Sequence, residues 1–251
     1  MTRLCGKLRQ RKPGTRLRCF GYTVRINDAA NFYVLRKDIF VRRIYHFAAQ
    51  RPDPVILDCG SNIGMSILYF KRAYPSSRII GFEPDPSIYP YLKENVEFAG
   101  LRDVKLMQAA VAAKDGSLQF FSDGKYGSCL AEYSGTAPPA GWKEYHVPCV
   151  RLREYLTEPV DFLKLNIEGA EGDVLADSRD RLRNVREMVV EYHHLPGLPR
   201  TLHEILQLLY DSGFEYLIND FDSATNPGVN TPFALAPDSR YFLLIYAKRK
   251  D

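Results

Sequence analysis

From residue 55 onward, apolar runs of strand length alternate with longer runs of helical period, and few folds accept that order. "VILDC" reads as a strand and "GMSILYFKRAY" as a helix. "RIIGFE" is again a strand, and "PSIYPYLKENVEFAG" a helix that ends at Gly100 and carries a proline able to kink it. The strand "VKLMQAAV" follows, then the hairpin-like strands "SLQFFS" and "YHVPCVRL", the strand "VDFLKLNI", a short helix near 170 to 178, and the strand "REMVVEYH". The helix "RTLHEILQLLYDSG" leads to two last strands, "FEYLIND" and "RYFLLIYAKR". Strands separated by helices of about 10 to 15 residues signal parallel βαβ units. The predicted fold is α/β, a Rossmann-like doubly wound, mostly parallel sheet with an antiparallel C-terminal strand.

Two Gly/Pro/Ser-rich segments, 122 to 144 and 222 to 239, interrupt the alternation. Loops of that length in a compact domain are usually lids or insertions. The second would hang over the sheet edge where open α/β sheets bind ligands. Before residue 55, "YTVRIN" and "NFYVLR" look like short strands around Asn27 and Asp28. "DIFVRRIYHFAAQ" has helical spacing with Asp38 as its cap, and "RPDP" is a breaker. The chain is thus expected to divide into a basic arm (1–20), a strand and helix preamble (21–54) and a large domain (55–251).

The charge is uneven. Of the 34 basic residues, Arg3, Lys7, Arg9, Arg11, Lys12, Arg16 and Arg18 fall in the first 20 positions with no acid, and the remaining 27 oppose 30 acids. Such an arm suits a solvated tail, or contact with RNA, an anionic lipid surface or an acidic substrate. No stretch is long and apolar enough for a membrane span, and the basic N-terminus lacks the apolar run of a signal peptide. Five cysteines without a CxxC pair suggest neither a disulfide framework nor a zinc site, so a reduced, cytoplasmic location is expected and no metal is assigned.

"DCGSNIG" joins the first large-domain strand to its helix. A glycine turn there lets backbone approach a ligand, and the helix N-terminus adds free N–H groups. Asp58 ends the strand, Gly60 turns the chain, Asn62 offers its amide and Gly64 opens the helix. Glu83 stands at the end of the second strand, where an acid accepts hydrogen bonds from ribose hydroxyls. The turn reads DxGxNxG rather than GxGxxG, lacking the third glycine of the dinucleotide fingerprint.

Taken together, "DCGSNIG", "FEPDPSIYPYLKEN" and "FLKLNIEGAE" resemble the FkbM-type family of S-adenosylmethionine-dependent methyltransferases, over roughly residues 55 to 195. The resemblance implies a class I methyltransferase sheet, S-adenosyl-L-methionine as cofactor, and methyl transfer to oxygen on a small molecule or glycan. It implies that Gly60, Ser61, Asn62 and Gly64 line the methionine part, Glu83 holds the ribose, Pro84 and Asp85 flank the adenine side, and Ala109 and Ala110 lie near the adenine ring. Asp58 would order the turn or face the cofactor's ammonium group through water. One departure stands out: "KLN" puts Asn166 where the family usually has aspartate. Asparagine orients a hydroxyl but takes no proton and is a poor ligand for a hard cation.

Lys164 and Asn166 share one face of their strand, and Glu168 and Glu171 follow at the turn. Lys164 and Glu168 are candidate catalytic groups, while Glu171 could simply complement a helix dipole. "EYHH" ends the next strand on the same edge. A histidine with its ordinary pKa of about 6.5 suits proton removal from a hydroxyl. His193 is set ahead of His194 because Glu191 shares its face and could orient it. Two other readings remain: RNA methylation using the basic arm, though no aromatic and basic interleaving surrounds the site, or a cofactor-binding partner protein that has lost its chemistry. Oligomeric state is not legible.

Overall fold

The structure, a computed structural model, describes residues 11–125, 127–134, 138, 140–195, 198–220 and 241–250. The expected lid at 222 to 239 and the first half of the basic arm, residues 1–10, lie outside the described residues. Strand β1 (Arg16–Cys19), within the stretch expected as an arm, pairs antiparallel with β2 (Tyr22–Arg25). Phe20 and Gly21, both with positive φ, make the tight turn between them. Arg16 and Arg25 then clasp Glu94 at 2.7 and 2.6 Å, fastening this hairpin to the large domain.

"NFYVLR" is not a strand. It belongs to helix α1 (Ala29–Leu35), because the Asp28 carboxylate accepts the Asn31 N–H at 2.8 Å and supplies the N-cap that overrides the strand preference of Phe-Tyr-Val. The helix expected over 38 to 50 is also replaced. A π-helical turn spans Arg36–Arg42 and stops at Arg43, which is left-handed, while Asp38 pairs with Arg42 instead of capping.

The large domain runs β3 (Val55–Cys59), α2 (Met65–Ala73), β4 (Arg78–Phe82), α3 (Tyr89–Phe98) and β5 (Val104–Met107). Pro90 lies in the first turn of α3, where its missing N–H costs nothing, so it does not kink the helix. The run read as one strand, "VKLMQAAV", splits: β6 (Ala110–Ala112) leaves for a second sheet with β7 (Gly116–Ser122), β8 (Ser128–Leu130) and β9 (Lys143–Arg151), in the order β6-β9-β7-β8. Part of the segment expected as a loop over 122 to 144 is therefore strand. The chain returns through β10 (Val160–Leu165), α4 (Glu171–Asp177), β11 (Val185–His194), α5 (Leu202–Asp211), β12 (Phe214–Asp220) and β13 (Tyr241–Arg249).

The main sheet has the order β12-β13-β11-β10-β3-β4-β5. Neighbours from β11 to β5 pair in parallel, and β13 is antiparallel to both β11 and β12, as the sequence predicts. Alternate residues feed two cores. Ile56 and Phe162 meet α2, α3 and the N-terminal segment, while Leu57, Leu163 and Leu165 meet α4 and α5. Phe47 stacks on Phe162 with centroids 4.6 Å apart, and Phe70 meets Phe162 edge-on at 5.6 Å. Residues before 55 thus complete one face of the sheet. No helix among the described residues is long and apolar enough to cross a membrane.

Candidate active site

Strand β3 has β4 on one side and β10 on the other, so the chain reverses its winding direction there. The crevice beyond the carboxyl ends of β3 and β10 is where such sheets bind ligands. "DCGSNIG" occupies it. Gly60 has φ of 86°, and a Cβ there would fall 1.9 Å from the Asn166 carbonyl oxygen, so this crossing of two strand ends admits only glycine. Gly60 and Ser61 N–H groups both donate to the Phe82 carbonyl, at 2.9 and 2.8 Å. Asn62 is left-handed at φ of 49°, and its side-chain oxygen accepts the Ile63 N–H at 2.9 Å. Gly64, at φ of 89°, opens α2 where a Cβ would press on Leu92 at 2.9 Å.

Two candidates prove to be braces. Asp58, wholly buried, accepts the Ser66 hydroxyl at 2.5 Å and pairs with Lys164 at 3.2 Å. Of the two roles expected of it, ordering the turn is the one its contacts serve. Lys164, expected as a catalytic group, is buried: its ammonium pairs with Asp58 and donates to the carbonyls of Gly60 and Cys59. Its three donors are committed, so it clamps the turn to the end of β10.

Glu83 closes the cofactor side. Its Oε2 accepts the Asn62 N–H at 2.8 Å and its Oε1 the Asp85 N–H at 3.0 Å. Burial pushes its pKa up to about 7, against those two N–H groups. Each carboxylate oxygen keeps acceptor capacity, which is what a vicinal diol requires. A glycine turn held open by strand crossing, facing a buried carboxylate with lone pairs to spare, fits the ribose and methionine portions of S-adenosylmethionine. Asp85, by contrast, is wholly buried and accepts the Ser87 N–H and hydroxyl, both at 2.7 Å, and the Ser122 hydroxyl. Its carboxylate caps a turn. Pro84 is half-buried beside it, and Ala109 and Ala110 are buried where the chain passes from β5 to β6.

The other side of the crevice holds an acid-rich cluster. His193 Nδ1 lies 2.8 Å from Glu171 Oε1, and its Nε2 lies 3.8 Å from Glu168 Oε2. Glu171 also accepts the N–H groups of Ile167 and Gly169, at 3.2 and 3.0 Å, so it organises the turn and the histidine rather than merely facing a helix end. Glu168 is left-handed, with φ of 56°, and its side chain is about one-third exposed at 30%. Asn166 Nδ2 donates to Glu191 Oε2 at 2.6 Å, and the Tyr45 hydroxyl donates to Glu191 Oε1.

The surroundings of His193 bear on its expected role as a base. Burial by itself would lower its pKa, but Glu168, Glu171 and Glu191 outweigh burial and raise it to about 10. That direction favours the protonated ring, which donates a proton rather than accepting one. Its orienting partner is Glu171, not Glu191. His194, on the opposite face as alternation requires, is buried, and its pKa is lowered by burial and by Arg200. Sequence reasoning missed Tyr45: one aromatic among many before the breaker, it carries no motif.

A sheet of this order with a glycine turn and a buried acid at its switch point is that of a class I S-adenosylmethionine-dependent methyltransferase. Known proteins agree. The family described as the methyltransferase FkbM domain matches residues 58–216. Methyltransferase 1 of Beauveria bassiana is 31% identical over 191 residues, 67% of this chain and 77% of its own. The 31-O-demethyl-FK506 methyltransferase FkbM of Streptomyces tacrolimicus is 28% identical over 226 residues, 77% of this chain and 86% of its own. Among solved structures, M. jannaschii TYW2 in complex with AdoMet shares the fold, with a TM-score of 0.53 at 12% identity over 96% of this chain and 88% of that one. The chain belongs to the FkbM methyltransferase family, and S-adenosylmethionine is its cofactor.

Proposed function

We propose that this chain methylates a hydroxyl oxygen on a small molecule or glycan. The observation that carries the reading is the cluster of His193, Glu168 and Glu171 at the carboxyl ends of β10 and β11, beside the glycine turn. The relative named for acting on 31-O-demethyl-FK506 supports oxygen as the acceptor atom. Bound S-adenosylmethionine would supply a sulfonium methyl group, its carbon–sulfur bond breaking to leave a neutral thioether as the acceptor oxygen bonds to the methyl carbon in line. The glycine turn, Lys164 and Glu83 hold the donor side. On the acceptor side, Glu168 is the carboxylate open to solvent and takes the hydroxyl proton, while cationic His193, fixed by Glu171, donates from Nε2 to orient the acceptor or Glu168 itself.

The test is incubation with S-adenosylmethionine carrying a labelled methyl group and a panel of methyl glycosides, catechols and alcohols. Label recovered as a methyl ether is expected. Label found only on nitrogen or in added RNA overturns the assignment.

A further inference from the structure

We propose that Tyr45 is a positioning residue for the reaction, holding the Glu191 carboxylate against the Asn166 carboxamide on the acceptor side. Tyr45 lies outside the stretch matched by the family, residues 58–216, on a segment that reaches the site from the N-terminal part of the chain. It is 3% exposed, and its hydroxyl donates to Glu191 Oε1 while Asn166 Nδ2 takes Oε2 at 2.6 Å. The Lys164 ammonium sits 5.5 Å from the centroid of the Tyr45 ring, whose other neighbours include Phe70 at 6.4 Å. One side chain therefore touches the clamp of the cofactor turn and the carboxylate next to the histidine.

Glu191 is itself buried, with each oxygen tied to a neutral donor. A buried carboxylate loses its fixed orientation when one of those donors is removed, because the orphaned oxygen must find another partner or a proton. Burial raises the Tyr45 pKa well above its ordinary value, so the phenol keeps its proton and remains a donor. The charged and titratable groups around Glu191 are Lys164 and Asp58 below Tyr45, His193 on the same strand with Glu168 and Glu171 beyond it, and Tyr246 on β13. Through Glu191, the Tyr45 hydroxyl acts on the field at His193.

This inference rests on the hydroxyl-methylation reading, and its test separates the two. Tyr45→Phe, Glu191→Gln and the double variant are compared in the full chain, since Tyr45→Phe keeps the ring over Lys164. The His193 imidazole is titrated by NMR without any acceptor. Tyr45→Phe displaces the titration midpoint in the wild-type background and leaves it in place in the Glu191→Gln background. The same displacement in both backgrounds, or none in either, overturns the proposal. With a methyl glycoside or catechol that the wild type methylates, kcat of Tyr45→Phe falls about 10- to 100-fold while the KM for S-adenosylmethionine is unchanged. A raised cofactor KM with kcat intact also overturns it. If the wild type methylates no hydroxyl, the hydroxyl reading fails, and the titration cycle still decides the role of Tyr45.

Discussion

Lys164 and Asp58 stand directly opposite each other on β10 and β3, and their side chains form a buried ion pair at 3.2 Å beneath Gly60. The pair joins the two strands that flank the crevice, and the spare donors of Lys164 tie down the turn above it. Removing one partner of such a pair leaves an uncompensated charge in the interior. Lys164→Met is expected to lower the unfolding free energy by about 3–5 kcal/mol. Urea unfolding checks this, and calorimetry should show weaker S-adenosylmethionine binding by the folded fraction.

Gly60→Ala meets a harder obstacle. The new Cβ would lie 1.9 Å from a backbone carbonyl at a φ of 86°, and backbone cannot swing aside as a side chain does. Loss of detectable S-adenosylmethionine binding is expected, whereas Gly100→Ala, strained at a φ of 62° but with open space around the Cβ and far along the chain from the turn, should retain it.

Cofactor affinity should depend on pH through Glu83. Its pKa rises from 4.5 to about 7 in the folded protein through burial, opposed by the Asp85 and Asn62 N–H groups and by Lys164, with the Asp85 carboxylate adding to the rise. The folded state therefore keeps a proton that the unfolded chain releases earlier, so this group's contribution to stability falls between about pH 4.5 and about 7. The ionised form is the better acceptor for ribose hydroxyls, so affinity should rise as pH passes through about 7. Calorimetry across that range should show the rise, and Glu83→Gln should flatten it. Glu83→Ala should weaken binding by about 1–3 kcal/mol.

The proton-transfer roles have opposite signatures. Glu168→Gln should reduce methylation of the accepted hydroxyl by about 100- to 10,000-fold with cofactor affinity intact. Full activity of Glu168→Gln would return the base to His193. His193, with a folded pKa of about 10 against 6.5, adds stability that is complete below about pH 6.5 and lost as pH rises toward 10. Thermal unfolding of His193→Gln should therefore lose most of that pH dependence.

Phe47→Ala is expected to cost about 3–5 kcal/mol, because it removes the ring that stacks on Phe162 and opens a cavity under the sheet. Chemical denaturation measures it. A cost below about 1 kcal/mol would mean that the N-terminal segment covers the sheet without supporting it.

Local features were legible where the physics is local. The period-two runs mark β3, β4, β10 and β11, and "DxGxNxG" marks a turn whose glycines carry positive φ. Glu83 at the end of β4 followed from its place in the chain, and alternation correctly separated His193 from His194. Short apolar runs were less readable: "NFYVLR" has strand composition, but the cap at Asp28 makes it a helix. In "VKLMQAAV", nothing in the residues announces that the chain leaves one sheet for another between Met107 and Ala110.

The sequence by itself determined the sheet class, the switch-point turn and the family, because side-chain period and glycine conformations are properties of neighbouring residues. Only the tertiary structure decided what the charged groups do. Lys164 became a clamp because β3 places Asp58 across from it. The His193 pKa is raised because the turn after β10 and the start of α4 bring Glu168 and Glu171 to its ring. Tyr45 entered the site from 146 positions away from Glu191. Proton affinity in a buried cluster is set by neighbours distant in sequence, acting at short range where water cannot screen them.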